Sequence, residues 1–271
     1  MKKILLFSEN MMHYRLSLYD IFSKMYQNIG IEFYVVSEKK IDKEKYNFNH
    51  KDCKFSFKKC CAEVNRVDPD YIIVFWNIYN PTTWLLFIWL HFNNRRFVYW
   101  SHGISMQNPS SLWRNILYKL AHKLADASIL YSPNEIKYLP KNSKAFIAFN
   151  TINFNEIPDV NESVEKIKLR NNIPFSKIVL FVGRIQKRKR LEVLIDIFKN
   201  PVLPDVGLVI VGPGISKKLI NIIEKNKQII YLGERYTDVN DFFKIADIFC
   251  IPGINGLGIN QAMYWGLPVL T

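Results

Sequence analysis

Cysteine is scarce and badly spaced for stapling or chelation. Cys53, the adjacent Cys60 and Cys61, and Cys250 inside an apolar run contain no C-x-x-C pair. A disulfide framework or a zinc site is thereby excluded as an organising principle, and a reducing, cytoplasmic compartment is the simpler reading. His50, His91 and His122 are scattered without metal-ligand spacing. A long hydrophobic run is also missing: residues 84–90 form the longest, well short of the roughly 18 residues a membrane span needs. That segment reads as a buried or half-buried helix, with shallow membrane contact as the other reading. The run Ile4-Leu5-Leu6-Phe7 stops at Glu9 and Asn10, too soon for a signal peptide, and reads as a first buried strand. No short-period repeat and no low-complexity tract is present. Acidic residues are few, 24 against 37 Lys and Arg, giving a net charge of +13. Such a balance attracts polyanions, whether nucleic acid, acidic phospholipid or phosphorylated small molecules. The cations are dispersed and no nucleic-acid motif is visible, so a nucleic-acid partner is not expected.

What is present is ample core material. The 271 residues are 49% hydrophobic and 14% aromatic, enough for one large domain or two of ordinary size. Short apolar, β-rich runs at 4–7, 31–36, 71–75, 97–100, 128–131 and 145–149 alternate with helical patterns at 15–26, 81–92 and 112–124 and a short one from Asn134. Continuous apolar strands separated by amphipathic helices predict parallel sheets covered on both faces. From 151 to 176 the chain turns polar, with Pro158, Asn171, Asn172 and Pro174, and reads as a connection with a short helix from Ser163. Alternation then resumes, with strands at 178–182, 207–211, 229–232 and 248–251 and helices at 190–198, 216–226 and 239–245. The predicted fold class is α/β, with two doubly wound parallel-sheet domains, 1–160 and 161–271. Ligands in such sheets sit at the carboxyl ends of the strands.

Four loops fall at those ends in the second half. The first is Gly183-Arg184-Ile185-Gln186-Lys187-Arg188-Lys189-Arg190, which crowds cations before a helix. Positive charge opposes the dipole at a helix start, and a bound diphosphate resolves that conflict; an exposed basic loop is the alternative. Val211-Gly212-Pro213-Gly214 is the second, weak taken alone because strand-to-helix turns often carry glycine. Leu232-Gly233-Glu234-Arg235-Tyr236 is the third and serves either as a plain turn or as a surface for a nucleobase. The fourth runs from Pro252-Gly253 through Gly256-Leu257-Gly258 to a short helix closed by Gly266, a tight turn suited to phosphate.

Taken together, these loops resemble the second half of family 4, or group 1, GT-B glycosyltransferases over about residues 179–271. Gly183, Arg184 and Lys189 match the family's glycine, arginine and lysine, whose cations hold the donor diphosphate. Gly212 and Gly214 match V-G-x-G, and Leu232-Gly233 the base-side loop. Ala246-Asp247 with Pro252 matches A-D-x-x-x-x-P, and Ala262-Met263, Gly266 and Pro268-Val269 match A-M-x-x-G-x-P-V. The family's two glutamates, eight positions apart, fall here on Gly253 and Gln261. Gln261 retains hydrogen-bonding capacity toward a ribose; Gly253 has none, and the turn at 253–257 would use backbone N–H groups instead. In the first half, Tyr99-Trp100-Ser101-His102-Gly103 lies where the family often places a histidine near the donor sugar, and Ala125-Asp126-Ala127 with Tyr131-Ser132 resembles its A-D-x-x-x-x-x-S segment. His13 and Arg15 occupy the loop after the first strand, where relatives often carry a Gly-Gly turn that this chain lacks.

The resemblance implies two Rossmann-like halves facing a cleft and a retaining sugar transfer from a nucleotide-sugar donor. It implies no cofactor and no essential metal. The acceptor would be a saccharide or lipid-linked saccharide in cell-surface polysaccharide synthesis, met at the cytoplasmic face of an anionic membrane. His102 would be catalytic, Arg184, Lys189 and Gly183 would hold the diphosphate, and Gly253, Gly256, Leu257, Gln261, Gly233 and Glu234 would line the nucleotide and sugar. His13 and Arg15 are cleft or acceptor candidates. Relatives continue past G-x-P-V, so the second domain reads as cut short at Thr271. The alternatives are an inactive or truncated nucleotide-sugar-binding module, a GT-B epimerase, which would lack A-M-x-x-G-x-P-V, and a nucleic-acid binder.

Overall fold

The computed structural model describes every residue except 76, 106–109, 200–202 and 255, and of His13 the backbone alone. The chain divides into two compact units, Met1–Asn150 and Thr151–Thr271.

The first unit holds seven strands: β1 (Lys2–Phe7), β2 (Ile31–Ser37), β3 (Asn49–Asp52), β4 (Tyr71–Phe75), β5 (Phe97–Trp100), β6 (Ala127–Leu130) and β7 (Ala145–Ile147). They form one sheet in the order β3-β2-β1-β4-β5-β6-β7, with every pairing parallel. Its helices are α1 (His13–Asn28), α2 (Phe57–Val67), α3 (Pro81–Phe92) and α4 (Leu112–Leu124). Alternation along β1 feeds two cores. Ile4 and Leu6 pack with Leu16 and Tyr19 of α1, while Leu5 and Phe7 pack on the other face with Val64, Leu86 and Leu90. The order reverses direction between β1 and β4, which makes their carboxyl ends the topological switch point.

The second unit repeats the plan with β8 (Lys177–Val182), β9 (Val206–Val211), β10 (Ile229–Tyr231), β11 (Ile248–Cys250) and β12 (Val269–Leu270). The order is β10-β9-β8-β11-β12, again parallel throughout, with the switch point between β8 and β11. Helices α5 (Val164–Arg170), α6 (Leu191–Lys199), α7 (Lys217–Ile223), α8 (Val239–Ile245) and α9 (Gly258–Tyr264) complete it. Helix starts follow local chemistry. The Asn80 side chain accepts from Thr82 N at 2.8 Å ahead of Pro81, and Ser163 accepts from Lys166 N at 3.3 Å.

Two elements depart from the sequence reading. β3 (Asn-His-Lys-Asp) is a polar edge strand held by backbone pairing to β2 alone, so no apolar pattern announces it. α2 buries Cys60, Glu63, Val64 and Val67 among exposed cations, which hides its face in a linear reading. The helix predicted from 190 begins instead at Leu191, because Arg190 is left-handed (φ 53°) after a 3-10 turn over Lys187–Lys189.

One device recurs at the base of both sheets. Asp70, Asp126 and Asp247 each give their N–H to a carbonyl of the neighbouring strand, those of Lys3, Phe97 and Ile178, all at 3.0 Å. Each carboxylate in turn accepts an N–H there: Lys3 N, Phe97 N and Ile178 N, all at 2.8 Å. The two Ala-Asp motifs of the sequence are thus register clamps between strands. Burial alone would raise the Asp247 pKa, but the Lys177 ammonium at 2.7 Å and the Ile178 N–H outweigh it and lower the value. Asp247→Ala should cost about 1–2 kcal/mol in urea unfolding near neutral pH. Because the folded pKa is depressed, this contribution is complete above the ordinary carboxylate value of roughly 3.9. The wild-type advantage should vanish as pH falls through the lower folded value.

Candidate functional site

At the switch point of the second unit, four loops are laced by backbone hydrogen bonds. Gly183 N donates to Val211 O (2.8 Å), Ile185 N to Pro213 O (2.7 Å), Gly212 N to Gly233 O (2.7 Å) and Ile254 N to Arg188 O (2.8 Å). The glycines make this approach possible. A Cβ on Gly212 would overlap Gly183 O, and one on Gly253 would overlap Arg188 O. Gly183, at φ 130°, vacates the space that Lys189 Nζ fills; a Cβ there would collide with the ammonium.

Lys189 is therefore buried, 8% exposed, with its ammonium 5.7 Å from the Phe181 ring centroid. Among the described residues it has no carboxylate partner. Its neighbours are like charges, the exposed Arg184 and Arg188. Burial, with those two cations, pushes its pKa down to about 8. A buried ammonium held among cations is an electrostatic setting that an anion would relieve.

The other candidates of this unit lie around the same loops with separate engagements. Gln261 donates Nε2 to Asn240 Oδ1 at 2.6 Å, and Trp265 Nε1 shares that acceptor at 3.2 Å. Glu234 is exposed and accepts from the Tyr236 hydroxyl. Gly233 spends its carbonyl on Gly212. Gly256 is exposed, and Leu257 precedes α9. Asn255 of that turn lies outside the described residues.

In the first unit the switch point carries a cavity of about 260 Å³ lined by residues that include Ser8, Glu9, Tyr14, Arg15, Phe75 and Asn77. Glu9 ties the β1 and β4 loops together, accepting from Asn77 Nδ2 (3.1 Å) and Asn80 Nδ2 (2.7 Å). Arg15 is half-buried, its guanidinium carbon 4.1 Å above the Phe75 ring and its Nη2 donating to Tyr131 Oη at 2.9 Å. The His13 side chain lies outside the described residues.

His102 follows β5 and is partly exposed. Its Nδ1 meets Glu135 Oε1 at 2.6 Å, and the buried Glu135 also accepts from Tyr131 N at 2.9 Å. The Tyr131 ring lies 4.5 Å from the imidazole. Beneath the loop, the buried His122 meets Gly103 O through Nε2 at 3.1 Å and pairs with the Tyr99 hydroxyl. Sequence reasoning placed His102 here but did not assign roles to Glu135 and Tyr131, which contact it, or to His122, which holds the following Gly103 carbonyl. Among the described residues no three His, Cys, Asp or Glu side chains group as metal ligands would. No helix among them is long and apolar enough to cross a membrane.

The family model described as "Glycosyl transferases group 1" matches residues 163–271. This segment is similar to the group 1 glycosyltransferases. The sulfoquinovosyl transferase SQD2 of Arabidopsis thaliana is 28% identical over 110 residues, 39% of this chain and 21% of the SQD2 length, so the match covers about a fifth of that relative. Two solved structures are similar over almost the whole chain. HepE of Anabaena, crystallised with UDP-glucose, superposes with a TM-score of 0.73 at 18% identity, covering 98% of this chain and 79% of its own. The UDP-GlcNAc 2-epimerase of Methanocaldococcus jannaschii gives 0.61 at 14% identity, covering 99% and 83%. The fold is therefore GT-B, and the family model matched on the second unit is that of glycosyltransferases.

If the second unit takes a nucleoside diphosphate beside Lys189, its affinity for UDP, used as the probe, should read out the state of that ammonium. A protonated ammonium attracts the diphosphate, so affinity should fall as pH rises through about 8, by up to roughly tenfold at pH 9. Calorimetric titration of Lys189→Arg, whose guanidinium does not titrate there, should show a flat profile over the same range.

Proposed function

We propose that the chain is a retaining glycosyltransferase that moves a sugar from a nucleotide-sugar donor to a saccharide or lipid-linked saccharide in cell-surface polysaccharide synthesis. One observation carries the reading: Lys189 is buried in the space Gly183 leaves, beside Arg184, without a counterion among the described residues. The leaving group of such a transfer is a nucleoside diphosphate whose charge grows as the glycosidic bond breaks. Cations fixed in advance stabilise that charge without reorganisation. Arg184 and Lys189 take this role, and the reading assigns no essential metal to the chain. HepE, whose structure holds UDP-glucose, supports a nucleotide-sugar as the donor class.

His102 is assigned the catalytic position, with Glu135 fixing its Nδ1 so that Nε2 is the nitrogen left to face substrate. Two variants separate the roles. Arg184→Ala/Lys189→Ala should lose UDP binding by at least ~100-fold, and unchanged affinity would overturn the diphosphate assignment. His102→Ala should keep UDP affinity while transfer from a UDP-sugar drops about 10²-fold or more; full turnover would return His102 to a structural role. Binding without transfer in the wild type would favour an inactive binding module.

The acceptor side of the reading includes docking on an anionic membrane at the cytoplasmic face. Leu85, Ile88 and Phe92 of α3 are exposed, as are Leu112, Trp113, Ile116 and Leu120 of α4, and Arg114, Lys119 and Lys123 lie on α4 as well. Apolar side chains beside cations fit the boundary of an acidic bilayer. Sedimentation with phosphatidylglycerol vesicles should be strong and salt-sensitive. Trp113→Ser/Ile116→Ser should release the protein into the supernatant.

A further inference from the structure

Arg15 is a cation out of balance with its surroundings. Its guanidinium lies over Phe75 at 4.1 Å and over Trp100 at 5.5 Å, and those two rings are themselves stacked at 4.8 Å. Its hydrogen-bond partners are neutral hydroxyls: those of Tyr131, at 2.9 Å, and of Tyr14 and Tyr19. No carboxylate pairs with it among the described residues. Glu9 lines the same cavity, but it is not ion-paired with Arg15 and each of its oxygens already accepts one bond, from Asn77 and from Asn80. Arg15 and Phe75 both line the cavity: the guanidinium there has no paired carboxylate among the described residues, and the Phe75 ring is a surface on which the apolar face of a sugar ring packs.

We propose that the first-unit cavity binds a saccharide through a negatively charged substituent, a carboxylate or a phosphate, recognised by Arg15. Guanidinium offers two parallel N–H bonds to either group, and the aromatic floor restricts water around them. This deepens the proposed function by naming an acidic acceptor class and rests on that reading for the word acceptor. The binding itself does not.

The test uses the full chain carrying Arg184→Ala/Lys189→Ala, which silences the second-unit anion site, and includes no nucleotide. Glucuronate, glucose 6-phosphate and glucose are titrated by NMR or calorimetry. At least one acidic sugar should bind about tenfold or more tighter than glucose, and the tighter of the two identifies carboxylate or phosphate. Arg15→Met should reduce that ligand to the glucose level, and Arg15→Lys should fall between. Equal binding of glucose, no binding of either acidic sugar, or retained affinity in Arg15→Met overturns the proposal. If Arg15→Met fails to fold, wild-type salt dependence decides, because charge-driven binding must weaken as salt rises. Loss of transfer or of UDP binding elsewhere leaves this readout intact, so the two readings fail separately.

Discussion

A buried ammonium with no carboxylate partner among the described residues is the constraint around which the second unit is built. Desolvating Lys189 is costly, and Arg184 and Arg188 beside it add repulsion rather than relief. Nothing in a folding argument favours that arrangement; a neutral side chain at 189 would pack against Phe181 with less conflict. The geometry nevertheless enforces it. Gly183 has to lack a side chain for Nζ to lie where it does, and Gly212 has to lack one for the Gly183 carbonyl to pass. Left-handed Arg190 then turns the chain sharply into α6. Local strain and charge conflict gathered on one loop are what the proposed anion site accounts for.

Both units solve the same structural problem with the same parts. Each sheet is parallel, is clamped at its base by Asp carboxylates, and opens a switch point at the carboxyl ends of its central strands. What differs is the chemistry placed there. The second unit offers lysine and arginine among glycine backbones. The first offers one arginine on an aromatic stack, a histidine fixed by Glu135, and a carboxylate occupied with holding two loops together. Shared architecture positions the sites, whereas the side chains at the strand ends decide what each can recognise.

Most of this architecture was legible because parallel strands buried on both faces leave continuous apolar runs, and Pro81–Phe92, Leu112–Leu124 and Val239–Ile245 were bounded by their flanking residues. β3 was not legible. An edge strand of Asn, His, Lys and Asp carries no hydrophobic signal, because its stability comes from the backbone ladder to β2. α2 had a signal, Cys60, Val64 and Val67 at helical spacing, diluted by Glu63, Asn65 and Arg66 between them and by Lys58 and Lys59 just before. In the site, the glycines and cations of the second unit stood out because one loop carries them contiguously. Glu135, Tyr131 and His122 could not stand out. Each acts across at least 19 residues of chain, from His122 to Gly103 and from Glu135 to His102, and only the fold brings them together.

The departures at Gly253 and Gln261 also acquire a physical reason. Any Cβ at 253 would overlap Arg188 O, and the next residue's N–H donates to that same oxygen. A side chain at 253 and the Ile254–Arg188 hydrogen bond are therefore alternatives, and this chain has taken the bond. At 261 the amide is engaged with Asn240, which a carboxylate could not be in the same way, since Gln261 acts there as the donor. Both substitutions move hydrogen bonds from a ligand-facing role into the lacing of the loops. Gly253 and Gly256 of that loop have only backbone groups to offer, so in the proposed function an anionic donor would be recognised mainly by Arg184 and Lys189. The more of the site's binding that rests on two cations, the more strictly Gly183 must remain a glycine.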